Sequence, residues 1–157
     1  MISFDIDNYR YNLRAAAIIL NGDDILLHKI EGDPFWSVPG GRVDAGEFAA
    51  ATIVREMQEE LAETVTCGRL LWTVENFFTY RETQHHELGL YFLTQLSEGS
   101  RLLTQAGPYL GIEGDLKLTF AWFKRSELQH VDIRPSFLAT ALASSELTML
   151  HVVHHES

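Results

Sequence analysis

The chain has 157 residues, 46% of them hydrophobic, and a formal net charge of −10, which is the length of one domain with enough apolar mass for a core. Such an acidic balance argues against a nucleic-acid surface or an anionic membrane as partner unless cations intervene. Cys67 is the only cysteine, so no intrachain disulfide can form, and a reducing, cytoplasmic setting is expected.

The first ten residues, "MISFDIDNYR", lack the basic stretch and apolar run of a secretory signal. The longest apolar runs, such as "AAAIIL", are too short to cross a bilayer. "LRAAAIIL" (Leu13 to Leu20) reads as a buried strand. "NGDD" (Asn21 to Asp24) is a turn, and a second strand resumes at Ile25, which makes a hairpin. "EGDPF" (Glu31 to Phe35) reads as a loop, and "WSVPGG" as a short extended piece. From about Glu47 to Leu61 the pattern is helical, with Ala50, Val54, Met57 and Leu61 as its apolar stripe. Glu56, Glu59 and Glu60 fall at i, i+3 and i+4 on an adjoining arc. Like charges there repel by a few tenths of a kcal/mol per pair, so something positive is expected opposite them.

"VTCGRLLWTVENFF" and "ELGLYFLTQL" read as long strands joined by the polar loop "TYRETQHH". "SRLLTQAGPYLGIEGD" reads as loop, "LKLTFAWFK" as strand, and "SFLATALASSE" as a second helix. Strands, helix, strands, helix is the order of an α/β (α+β) domain, a mixed sheet sandwiched between helices. No repeat or linker divides the chain, so residues 1–157 form one domain. His151, His154 and His155 read as a chain-end tail, although "LTMLHVV" has the character of an interface strand, which leans toward a homodimer.

Gly41, Glu47, Arg55, Glu56, Met57, Glu59 and Glu60 stand at the spacing G-x5-E-x7-R-E-U-x-E-E, with U apolar. This resembles the Nudix box of the Nudix (MutT-like) hydrolases, and "WSVPGG" before it is also similar to that family. The match departs at its end, where Ala62 replaces a glycine and Glu63 an apolar residue. In a left-handed helix cap, Ala62 would cost about 1 kcal/mol.

Chemistry agrees independently of the resemblance. Hard divalent cations take oxygen ligands and keep several waters. Glutamates one turn apart can hold such ions, which neutralise a pyrophosphate and acidify a bound water. The resemblance implies Mg²⁺, with Mn²⁺ as a substitute, held by Glu56, Glu59 and Glu60 with the Gly40 carbonyl nearby. It implies that Arg55 and Glu47 form an orienting ion pair. The implied reaction is hydrolysis of a nucleoside diphosphate linked to another moiety, by water attack on phosphorus. Three kinds of position compete for the general base: Glu113 in "GIEGD", Glu87 in "HHELGLYF", or one of the box glutamates, Glu59 or Glu60 among them.

Lys29 and Arg42 are candidates to touch phosphates. Among Trp36, Trp72, Phe77, Phe78, Tyr80 and Trp122 most belong to the core, and Phe35, Phe78 and Tyr80 are the loop-borne candidates to stack on a base. His85 and His86 read as part of a polar loop. The resemblance leaves the nucleotide open: nucleoside triphosphates, ADP-ribose-like compounds and dinucleoside polyphosphates all qualify. Two other classes compete, a catalytically silent nucleotide sensor and an unrelated acidic metal-binding protein.

Overall fold

The structure, a computed structural model, describes residues 1–157. The strands are β1 (Ser3–Ile6), β2 (Tyr9–Asn21), β3 (Asp24–Ile30), β4 (Gly40–Arg42), β5 (Val65–Tyr80), β6 (Thr83–Leu96), β7 (Tyr109–Glu113), β8 (Leu116–Lys124) and β9 (Leu150–His155). The helices are α1 (Ala49–Leu61), α2 (Arg101–Thr104) and α3 (Leu138–Ala143), with a 3₁₀ segment at Arg125–His130. All the strands join one mixed sheet in the order β7-β8-β3-β2-β6-β5-β9, while β1 and β4 also pair with β2. The β2–β6 and β5–β9 pairs are parallel and the rest antiparallel.

β2 explains the layering. A strand covered on both faces reads as one apolar run, and residues 15–19 of β2 are wholly buried. Ala15, Ala17 and Ile19 pack with Ile53, Met57 and Leu61 of α1. Ala16 and Ile18 pack with Leu128, Leu138 and Leu142 of the 3₁₀ segment and α3 on the other face. The alternation along one strand therefore defines the two sides of an α/β/α stack. No helix is long and apolar enough to cross a membrane.

Several segments differ from the sequence expectations. On α1 the buried positions are Thr52, Ile53, Met57, Glu60 and Leu61, whereas Val54 is exposed. Glu60 thus sits within the buried stripe rather than beside it, because burial follows Ile53 and Met57 around the helix and not Ala50 and Val54.

The expected loop "TYRETQHH" is a tight hairpin: pairing continues to Tyr80–Thr83. Only Arg81 and Glu82 turn, both with positive φ (48° and 68°), the sense that matches strand twist. Neither is glycine or asparagine, so the turn carries no compositional mark. "SRLLTQAGPYLGIEGD" contains α2, whose Leu102 N–H is capped by Ser100, and β7, which pairs with β8. The histidine tail is β9, ordered by parallel pairing with β5. His151 reaches Glu75 at 2.8 Å and His155 stacks on Phe77. "LTMLHVV" accordingly pairs within its own chain.

Candidate active site

The site starts at the short strand β4. Gly40 has φ +151°, and a Cβ there would lie 2.1 Å from the Ala15 carbonyl. A Cβ at Gly41 would lie 2.4 Å from the Glu56 carboxyl carbon. Glycine at both positions lets β4 lie against β2 and lets the Glu56 carboxylate lie against β4.

Arg55 organises the carboxylates. Its Nε donates to Glu47 at 2.8 Å, Nη1 to Glu56 at 2.8 Å and to Glu59 at 3.2 Å, and Nη2 to Glu47 at 3.0 Å and the Arg42 carbonyl at 3.3 Å. A planar guanidinium with five N–H donors suits such a fork. Arg55, with Thr52, holds the Glu47 carboxyl down at about 2. Arg55 thus brings positive charge to Glu56 and Glu59, and leaves Glu60 without it.

Glu60 has the opposite environment. It is 3% exposed, and no N–H or hydroxyl donor of the chain reaches either carboxylate oxygen. Burial first, then the charge of Glu56 and a hydrogen bond shared with its carboxyl, then the charge of Glu113, push the Glu60 carboxyl up to about 10, while Arg14 opposes them. Burial also raises Glu56, against Arg55. Two carboxylates on one helical turn, one of them orphaned, form an all-oxygen donor set that fits a hard divalent cation. Glu59 is the more exposed of the three, with its side chain 58% exposed, and it shares the Arg55 Nη1 with Glu56. No group of three His, Cys, Asp or Glu side chains closes on a common point.

Glu113 ends β7, and that strand runs hard against α1: a Cβ at Gly111 would lie 2.6 Å from the Glu60 carbonyl. Glu87 lies elsewhere, on a cavity of about 200 Å³ that opens on the sheet beside β4. Phe35, Phe78, Tyr80 and Arg42 also line this cavity, as do Arg14 and Arg134. Burial raises the Glu87 carboxyl, with Arg14, Arg42 and Asn12 opposing. Arg14 joins the two regions, since its charge acts on both Glu60 and Glu87.

Lys29 does not line the cavity. Its neighbour Ile30 does, and alternation turns Lys29 away, leaving its Nζ 5.8 Å from the Trp36 ring centroid. Trp72 is fully buried against Tyr91, Trp122 donates to the Leu102 carbonyl, and Phe77 stacks on the other face of the sheet with His86 and His155. His85 belongs to β6 and not to a loop: its Nδ1 pairs with Asn12 Nδ2 at 3.0 Å and its ring stacks on Phe78. Asn12, Arg14 and Asn76 carry no motif. Their one signal in sequence is polarity at inward-alternating positions of otherwise apolar strands.

The model of the NUDIX domain matches residues 10–141, and the chain belongs to that family. It is 49% identical over 51 residues to a putative 8-oxo-dGTP diphosphatase of Bacillus subtilis (strain 168), a match covering 32% of this chain and 34% of the relative. It is 31% identical over 77 residues to an RNA pyrophosphohydrolase of Actinobacillus pleuropneumoniae serotype 5b (strain L20), covering 49% of this chain and 37% of that one. The matched segments thus span about a third of these relatives. A MutT NUDIX hydrolase from Burkholderia pseudomallei superposes with a TM-score of 0.61 at 24% identity, over 87% of this chain and 98% of that one, which establishes the fold.

Proposed function

We propose that the chain is a metal-dependent hydrolase of the pyrophosphate bond in a nucleoside diphosphate derivative. The observation that carries this reading is the buried Glu60 carboxylate, met by no hydrogen-bond donor, beside Glu56; the cavity with three arginines is linked to it through Arg14, whose charge acts on both. The names of the relatives, diphosphatase and pyrophosphohydrolase, support the bond class. Glu56 and Glu60 would hold a divalent cation, Mg²⁺ or Mn²⁺, with Glu59 and the Gly40 carbonyl nearby. When bound, such an ion supplies charge neutralisation and a more acidic water.

The chain's own residues do the rest. Arg55 and Glu47 keep the Glu56 carboxylate in place. Arg14 and Arg42 supply positive charge for phosphates in a protein of net charge −10. Phe35, Phe78 and Tyr80 offer ring faces to a base. Glu113 is the carboxylate outside the box whose charge reaches Glu60, and it accepts the proton of the attacking water.

The test is hydrolysis of a panel of nucleoside triphosphates, oxidised nucleotides, ADP-ribose and dinucleoside polyphosphates, with Mg²⁺, with Mn²⁺ and with chelator. Wild type is expected to turn over one class only with metal. Glu60→Gln, which keeps the volume and removes the charge, should lose on the order of a hundredfold or more. A folded Glu60→Gln protein with undiminished turnover at saturating Mg²⁺ would overturn the assignment. Nucleotide binding without any turnover would instead identify a sensor.

A further inference from the structure

The cavity floor is a polar row laid across the central strands. Asn12 on β2 is in register with Glu87 on β6, and Glu87 is in register with Asn76 on β5. Residues directly opposite on adjacent strands share a face, with Cβ atoms about 5 Å apart. All of them line the cavity, and all are buried: Asn12 is 1% exposed, Asn76 5% and Glu87 8%. Asn12 is already used, donating toward His85 and accepting from Ser3. Asn76 is not, because its Oδ1 is buried without a partner. A polar row with an unsatisfied member has no structural return, since it costs stability wherever it stays unpaired.

We infer that Glu87 and Asn76 are specificity-determining residues that read the hydrogen-bonding edge of a guanine-class base. The inference rests on the proposed nucleotide hydrolase reading and names which nucleotides that site takes. A carboxylate is acceptor-only, the form that Arg14, Arg42 and Asn12 favour at Glu87 against its burial, and Asn76 adds a further acceptor together with an NH₂ donor. The complement is a planar edge with adjacent N–H donors followed by a carbonyl. Guanine has it: a ring N–H, an exocyclic NH₂ and a carbonyl oxygen. Adenine and cytosine each set a ring acceptor beside their one amino group, which would face the carboxylate lone pairs. Uracil and thymine place one N–H between two carbonyls. Phe78 and Phe35 line the same cavity, which has room for one planar heterocycle. Glu87 is thereby assigned to the base and not to the attacking water.

The test uses GMP, IMP and AMP, which share ribose and phosphate and differ at the base edge. IMP keeps the ring N–H and lacks the amino group; AMP reverses the pattern. Equilibrium binding to the full chain, by calorimetry with chelator present, isolates the base because the phosphate contribution is common. Wild type should bind GMP roughly tenfold more tightly than IMP and on the order of a hundredfold more tightly than AMP. Glu87→Gln should bring GMP and AMP to within about threefold of each other, as should Asn76→Leu, which provides a second variant should the first fail to fold.

Wild type binding AMP or IMP as tightly as GMP would overturn the inference, as would failure to bind any of the three at millimolar concentration. A folded Glu87→Gln protein that keeps the full GMP preference would do the same. Preferential GMP binding with no metal-dependent turnover of any nucleotide would leave the base assignment standing and remove the hydrolase reading. Metal-dependent turnover without base preference would do the reverse.

Discussion

Arg55 shows how much depends on one side chain. Its guanidinium joins Glu47, Glu56, Glu59 and a backbone carbonyl of β4, so it ties the loop before α1 to the helix and to the strand beneath. Lysine has the charge without the planar fork. Arg55→Lys is expected to cost about 2 kcal/mol by losing charge-assisted hydrogen bonds, read as a lower chemical-denaturation midpoint, and to lower turnover further by freeing Glu56. An unchanged midpoint would mean that the fork is redundant. The pairing of Arg55 with Glu47 was expected from the resemblance to the Nudix box and not from helix spacing, since Glu47 precedes α1. The burial of Glu60 was not, because it depends on β7 and β4 closing over the helix, and both come from distant parts of the chain.

At the scale of elements, the end of α1 explains the two departures from the box. Ala62 is the left-handed cap, with φ 56° and ψ 34°, and its N–H and that of Glu63 return to the carbonyls of Gln58 and Met57. The helix therefore stops where a glycine would stop it. Ala62→Gly should raise stability by about 1 kcal/mol, measured by urea unfolding; a loss would show that the cap is held by something other than its own backbone. Glu63 is buried at 7% exposure yet satisfied: it accepts from Ser100, which caps α2, and faces Arg101 at 3.6 Å. A charge at an apolar position of the motif thus joins α1 to the segment after β6. The β5–β6 turn was missed for a related reason. Arg81 holds positive φ while paired with Asp33 at 3.2 Å, and Tyr80 also binds Asp33 at 2.8 Å, so side chains from elsewhere secure a turn that local composition does not announce.

Over the whole molecule, buried titratable groups set the response to acid. His28 is 4% exposed on β3, with Nδ1 unpartnered. Burial, helped by the charge of Arg14, pulls it down to about 3 from 6.5. Between those values the unfolded chain binds a proton that the folded chain refuses, so His28 removes stability as pH falls through 6.5 toward 3. The loss is up to about 1.4 kcal/mol per pH unit. Glu60 acts with the opposite sign above its ordinary 4.5, because there the metal-free fold keeps a proton that the unfolded chain loses. The informative quantity is therefore the difference between His28→Phe and wild type. Urea midpoints of the metal-free proteins from pH 7 to pH 4 should show the variant gaining on wild type as pH falls. Parallel curves would place the acid sensitivity elsewhere.

The sequence by itself determined the box, its helix, the central buried strand and the mixed sheet flanked by helices. Each of these follows from periodicity or spacing within a short window, where the backbone's own geometry decides which residues face together. Only the tertiary structure decided that Glu60 is buried beside Glu56 while Glu59 stays exposed, that Asn12, Glu87 and Asn76 form one row, and that the terminal histidines belong to a strand. Those outcomes depend on strand register between segments up to dozens of residues apart, and on which groups are left dry when the layers close.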